Sequence, residues 1–112
     1  MTMGKMVAAG LALVAAASMA HAKMDANEVE AAQALFGGSG CTACHSATDT
    51  LVGPALKDIA KRYKGKKAEA EVATRIREGS SGRWGDGMHP ANGALEPDEA
   101  KLLAKWILNG AP

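Results

Sequence analysis

The chain has 112 residues, 13 of them Lys or Arg and 12 Asp or Glu, for a formal net charge of +1. So even a balance, with aromatics at only 4%, leaves no electrostatic footprint for a nucleic-acid backbone, and no nucleic-acid partner is expected. Two cysteines are too few for a disulfide framework, and too few by themselves for a structural zinc ion, which takes about four ligands.

Met1 to Ala22 reads as a secretory signal peptide. Lys5 supplies the positive start, residues 6–17 an apolar run of Val, Ala, Leu and Gly, and Ala20-His21-Ala22 the small-x-small cleavage pattern. The run is shorter than the ~20 apolar residues a membrane-spanning helix needs, so cleavage is expected rather than anchoring. The cleaved chain, residues 23–112, would then be one small domain in the bacterial periplasm, with no membrane anchor. A domain of that size buries only about 60% of its unfolded surface and is marginal unless something staples it. His21 leaves with the signal, so His45 and His89 are the histidines that remain.

Asp25 to Phe36 is expected to form the first helix. Asp25 is its N-cap, and Glu28, three residues on, completes a capping-box-like arrangement. Val29, Ala32 and Phe36, with Leu35 beside them, recur at helical spacing. Gly37, Gly38 and Gly40 close the helix and lead into Cys41-Thr42-Ala43-Cys44-His45. C-x-x-C-H is the pattern of c-type haem attachment. Two thiols add to the two vinyl groups of one haem, a short helical turn carries them to neighbouring edges of the ring, and the next residue lies under the iron. A thioredoxin-like pair would want a βαβ setting, and no strand pattern surrounds these residues. A zinc site would have to recruit distant histidines, and a disulfide across two residues closes a small, weakly stabilising loop. Haem is preferred because His45 follows Cys44 directly and an export signal precedes both. It would also be the staple that so small a domain needs.

In Val52-Gly53-Pro54-Ala55-Leu56, Pro54 is the candidate acceptor for the second ring nitrogen of His45, since a metal-bound His usually donates that N–H to a carbonyl or carboxylate. Pro54 equally suits the first position of a helix. Ala55 to Tyr63 is expected to be that helix, with Leu56, Ile59, Ala60 and Tyr63 on one face. Around it cluster Lys57, Lys61, Arg62, Lys64, Lys66 and Lys67, either a solvated helix face or a surface that steers acidic redox partners. Ala68 to Glu78 reads as a third helix, with Val72, Ala73 and Ile76 inward and Gly79 closing it. Ser80 to Gly93 is too rich in glycine for a regular element, so something must hold it in place. An iron–thioether bond from Met88 would do so, and Met paired with His raises a haem potential. His89 competes for the same role, and Met88 is preferred. Trp84, with its indole N–H, and Arg83 are candidates for holding a haem propionate. Glu96-Pro97-Asp98-Glu99 opens the last helix, with Pro in the first turn and acids at the positive end of the dipole. That helix runs to about Asn109 with Leu102, Leu103, Trp106 and Ile107 on its apolar face. No strand signal appears. The expected architecture is all-α, about four helices wrapped around one covalently attached haem c with its iron.

Phe36 ahead of C-T-A-C-H, then V-G-P-A-L, K-D-I-A-K-R-Y, R-I-R-E-G-S-S-G-R-W-G, the Met loop and D-E-A-K-L-L-A-K-W-I-L form an ordered set over residues 23–112. That set resembles the class I cytochromes c of the short bacterial monohaem type, such as cytochrome c-551. The resemblance implies that the first and last helices cross, that the haem lies between the helices, and that the protein shuttles single electrons and is not an enzyme. Carried over by position, Cys41 and Cys44 are the thioether attachments, His45 the proximal ligand and Met88 the distal one. Pro54 accepts from His45, Trp84 and Arg62 lie near the propionates, and Asn92 bonds the Met88 sulfur. The departures lie in the ligand loop. The family has P-x-P-M-P-P around its Met, whereas here Gly85-Asp86-Gly87 precede Met88 and His89-Pro90-Ala91 follow. The stretch from Trp84 to Met88 is one residue shorter than the family's and the part beyond is longer. A softer loop leaves room for His89 or an external ligand.

The expected function is that of a soluble, monomeric periplasmic electron carrier with His/Met-ligated iron, passing electrons between a donor protein and a terminal reductase or oxidase. Two other readings stay open: a haem sensor or peroxidase-like protein with a labile distal ligand, and a haem subunit of a larger oxidoreductase that docks through Lys57–Lys67.

Overall fold

The computed structural model describes residue 10 and residues 23–112; apart from Gly10, the expected signal peptide lies outside the described residues. Among the described residues the helices are α1 (Ala26–Gly38), α2 (Leu56–Arg62), α3 (Glu69–Glu78) and α4 (Pro97–Leu108), and a 3-10 turn spans Cys41–Ala43. Over the described residues the fold is all-α but for one small exception. Two-residue strands β1 (Ser80–Ser81) and β2 (Met88–His89) pair antiparallel, Ser80 opposite His89 and Ser81 opposite Met88. The sequence carried no sign of them, because two residues are too few to display alternation.

Local chemistry explains the helix ends. The Asp25 carboxylate accepts from the Glu28 N–H at 2.8 Å and caps α1. The return half of the expected capping box is absent: the Glu28 carboxylate reaches across to Lys105 Nζ on α4, 2.6 Å away. Helix α1 continues through Gly38, two residues past the expected end. At α4 the Glu96 N–H donates to Glu99 Oε1 at 2.9 Å, and Pro97 takes the first helical position, where its missing N–H costs nothing.

Helix α4 is the hub, with α1, α2 and α3 all packed on it. Between α2, α3 and α4 lie Tyr63, Ala68, Val72, Ala73, Ala100, Ala104 and Leu108, all buried. The alanines let α3 and α4 approach closely. On the α1 side, Ala32, Leu56, Leu95, Leu103, Trp106 and Ile107 form a second cluster, and the Phe36 ring meets that of Trp106 at 5.3 Å between centres, tilted by 50°. Leu56 and Leu103 are the largest fully buried side chains, each contributing about 1.5–3 kcal/mol of burial. The Pro112 backbone oxygen accepts from both Trp106 Nε1 and Gln33 Nε2, each at 2.9 Å, which ties α1 to the residues beyond α4. This frame holds two loops, 39–55 and 79–95, facing each other across the middle.

Candidate functional site

The first loop builds one wall. Gly40 takes a left-handed conformation, φ +79°, and starts the turn that carries Cys41 and Cys44. The His45 N–H donates to the Cys41 carbonyl at 3.0 Å, so the three residues of the motif form one rigid turn. Both thiols are free and half-buried, and burial pushes the Cys41 thiol up from its ordinary pKa. The chain then folds back: the Gly53 N–H donates to the Cys44 carbonyl at 2.8 Å and the Leu56 N–H to the Ser46 carbonyl at 3.0 Å. That return sets the Pro54 carbonyl 2.8 Å from His45 Nδ1. A carbonyl only accepts, so Nδ1 carries the proton and the Nε2 lone pair is left free. Gly53 presses on the same ring. A Cβ there would stand 2.5 Å from His45 Cε1, so no other residue fits without displacing the imidazole.

The second loop builds the opposite wall. Successive residues of an extended strand point to opposite faces. In β2, Met88 is the outward residue, 77% exposed, and His89 the inward one. The His89 ring centre lies 5.9 Å from that of His45, with the planes inclined by 37°. Behind it, Gly79 has φ +82°, and a Cβ on Gly79 would meet the His89 carbonyl oxygen at 2.6 Å. His89 Nδ1 is buried with no hydrogen-bond partner among the described residues. Burial, and then the nearby His45, hold the His89 pKa below the usual histidine value.

Around this pair the loop is tied to the rest of the fold. The Asn92 N–H donates to the Ile76 carbonyl, and Asn92 Nδ2 donates to the Ser39 carbonyl, both at 3.1 Å. One of its two amide N–H groups thus goes to the approach of the Cys41 turn, and no bond to the Met88 sulfur, which the resemblance implied, is formed among the described residues. Trp84 sits at the rim, 39% exposed, with the Arg62 guanidinium 4.4 Å over its ring. Arg62 also donates to the Arg83 carbonyl. Arg83 pairs with Glu71 and donates to the Tyr63 hydroxyl at 3.2 Å, so its charge is partly answered within the protein.

Between the walls lies an open cavity with about 1220 Å³ of empty space, counting the solvent at its mouth. Cys41, Cys44, His45, Pro54, Trp84 and Met88, the residues expected from the sequence, all line it, Met88 only at its mouth. Phe36, Leu56, Ile59, Leu103 and Ile107 make its interior apolar. Among the described residues, no three His, Cys, Asp or Glu side chains come together to hold an ion by themselves. A porphyrin brings the equatorial ligands of its iron and asks the protein only for axial ones. A broad apolar cavity with two thiols at one edge and an imidazole lone pair on its wall fits that group. The parts played by Gly53 and Gly79 had no sequence signal, since each answers to a contact with another segment.

The sequence model of the Cytochrome c family matches residues 29–111. Cytochrome c-551 of Pseudomonas aeruginosa is 49% identical over 78 residues, 69% of this chain and 74% of that protein. Cytochrome c-551 of Azotobacter vinelandii is 40% identical over 80 residues, 70% of this chain and 96% of that one. Among solved structures, the crystal structure of wild-type Nitrosomonas europaea cytochrome c552 superposes with a TM-score of 0.65 at 44% identity, covering 68% of this chain and 95% of that one.

Proposed function

The chain belongs to the cytochrome c family, and from that premise we propose that it is a periplasmic monohaem electron carrier serving a donor protein on one side and a terminal reductase or oxidase on the other. It is an electron-transfer protein and not an enzyme, and its cofactor is one haem c bound covalently through Cys41 and Cys44. The observation that carries the reading is the His45 imidazole, pinned by the Pro54 carbonyl at 2.8 Å beside two free thiols on an apolar wall.

Bound in this cavity, the haem supplies one iron that cycles between ferric and ferrous states. The chain's residues do the rest. Cys41 and Cys44 would hold the ring's edge, and His45 would offer Nε2 to the iron. Pro54 holds the tautomer and, by accepting the Nδ1 proton's hydrogen bond, raises the ligand's basicity. Phe36, Leu56, Leu103 and Ile107 exclude water, so a change of charge at the centre meets few mobile dipoles. The strand of Met88 and His89 closes the other face, and Trp84 with Arg62 guards the rim. Val52, 84% exposed beside the two cysteines, offers an apolar landing for a partner protein. Lys57, Lys61, Lys64, Lys66 and Lys67 are all exposed and give one flank a positive field for acidic partners. The apolar run and Ala20-His21-Ala22 supply the route to the periplasm.

The test is to produce the whole chain in a bacterium that secretes and matures c-type cytochromes. Expected are a periplasmic protein whose N-terminus is Lys23, a haem that stays on the chain in a denaturing gel, and a reversible one-electron titration. A secreted chain without covalent haem overturns the reading.

A further inference from the structure

We propose that His89, and not Met88, is the resident second axial ligand, so that the iron is held between two imidazoles; the inference rests on the haem reading above. Three observations converge. Met88 and His89 are neighbours in an extended strand and turn to opposite sides of it, and the strand is set with His89 inward and Met88 77% exposed at the cavity's mouth. Two contacts favour this setting. Ser80 pairs with His89 and Ser81 with Met88, and Gly79 lies so close to the His89 carbonyl that a Cβ would approach it to 2.6 Å.

The second observation is distance. Two imidazoles on opposite sides of one ion, each with a metal–nitrogen bond of ~2 Å, have ring centres about 6 Å apart. The centres of His45 and His89 are 5.9 Å apart. The third is an unanswered polar atom: His89 Nδ1 is shielded from water and has no hydrogen-bond partner among the described residues, in a cavity whose walls are otherwise mostly apolar. A histidine placed there for packing alone would leave that nitrogen unanswered, whereas a metal ion in the cavity would give it a partner.

The consequence is electronic. Methionine opposite histidine raises a haem potential, so a second histidine in its place lowers it, and the carrier suits donors and acceptors of lower potential than a His/Met cytochrome would. Met88 is then a rim residue, outside the ligand set.

The experiment uses the matured holoprotein and two variants, read by optical spectra and midpoint potential. Covalent haem is first verified on a denaturing gel; its absence overturns the electron-carrier reading itself and this inference with it. With haem attached, the wild type is expected to be low-spin without the weak far-red ferric band that reports a methionine sulfur on iron. Met88→Leu should leave spectrum and potential where they were. His89→Ala should turn the iron high-spin and open to cyanide or CO, or bring in the far-red band with a raised potential as Met88 moves in. A wild-type far-red band that Met88→Leu abolishes and His89→Ala keeps overturns the inference, as does a high-spin wild type. Proton NMR of the ferrous wild type decides without any variant: a methionine methyl shifted far upfield by the haem ring current overturns it.

Discussion

The two walls of the cavity are built in opposite ways. The wall from Gly40 to Pro54 is made by short-range bonds, among them Cys41 to His45, Cys44 to Gly53 and His45 to Pro54, each spanning ten residues or fewer. The wall from Gly79 to Leu95 has one two-residue strand pair and several glycines, and it borrows its shape from distant segments. Asn92 reaches Ser39, 53 positions away, and Arg77 Nε reaches the Leu95 carbonyl at 3.0 Å. Where attachment chemistry demands adjacent residues, the chain supplies a self-contained turn. Where a ligand has only to arrive from the far side, the chain leaves a loop and lets the core position it.

The difference between the walls is lost most completely if the haem is removed. Cys41→Ser with Cys44→Ser should abolish covalent haem and leave a chain without its central packing, read as loss of helical circular dichroism at 25 °C. Leu103→Ala attacks the floor both walls share, where Leu103 is fully buried, and should cost about 2–5 kcal/mol in denaturant unfolding. Cyanide and CO binding should change less per unit of lost stability than in a variant aimed at one wall.

Gly79→Ala is such a variant. A side chain at φ +82° against the His89 carbonyl should cost about 1–3 kcal/mol and loosen only the second wall, so that external ligands bind faster. Gly53→Ala is its counterpart, pushing on the His45 ring. It should cost about 1–3 kcal/mol and shift the midpoint potential, with little gain in external ligand binding. If the two glycine variants behave alike, the walls are not independent.

The smallest effect belongs to neither wall. Glu28→Gln removes the partner of Lys105 and should lower the melting temperature slightly, less so at high salt. Glu28 holds the Lys105 pKa above its usual value, so the pair's contribution is fully present below the unfolded-state pKa of Lys105. On the alkaline side it is lost as pH rises through the folded-state value. Across neutral pH the difference between Glu28→Gln and wild type should therefore be flat.

This contrast also explains what could be read in advance. The four helices follow from apolar spacing and end signals, and the Cys41–His45 turn and its Pro54 partner from chemistry that acts over a few residues. The second wall was less legible. Met88 stood out by residue type, yet which of Met88 and His89 turns inward is decided by strand register and by Gly79, neither of which leaves a periodic trace. The shortened spacing between Trp84 and Met88 was the one local hint that the inward position falls a residue later. Glu28 shows the same limit in miniature. Its spacing from Asp25 suits a capping box, but a lysine on another helix claims its carboxylate.

The placement of the two tryptophans gives the molecule a built-in pair of optical probes. Trp106 is buried in the floor against Phe36, while Trp84 stands at the rim under Arg62. Fluorescence from single-tryptophan versions would time the two places separately. A bound haem quenches nearby indoles, so emission that rises from Trp84 before Trp106 on warming would mark the rim as the first part of the fold to part from the haem.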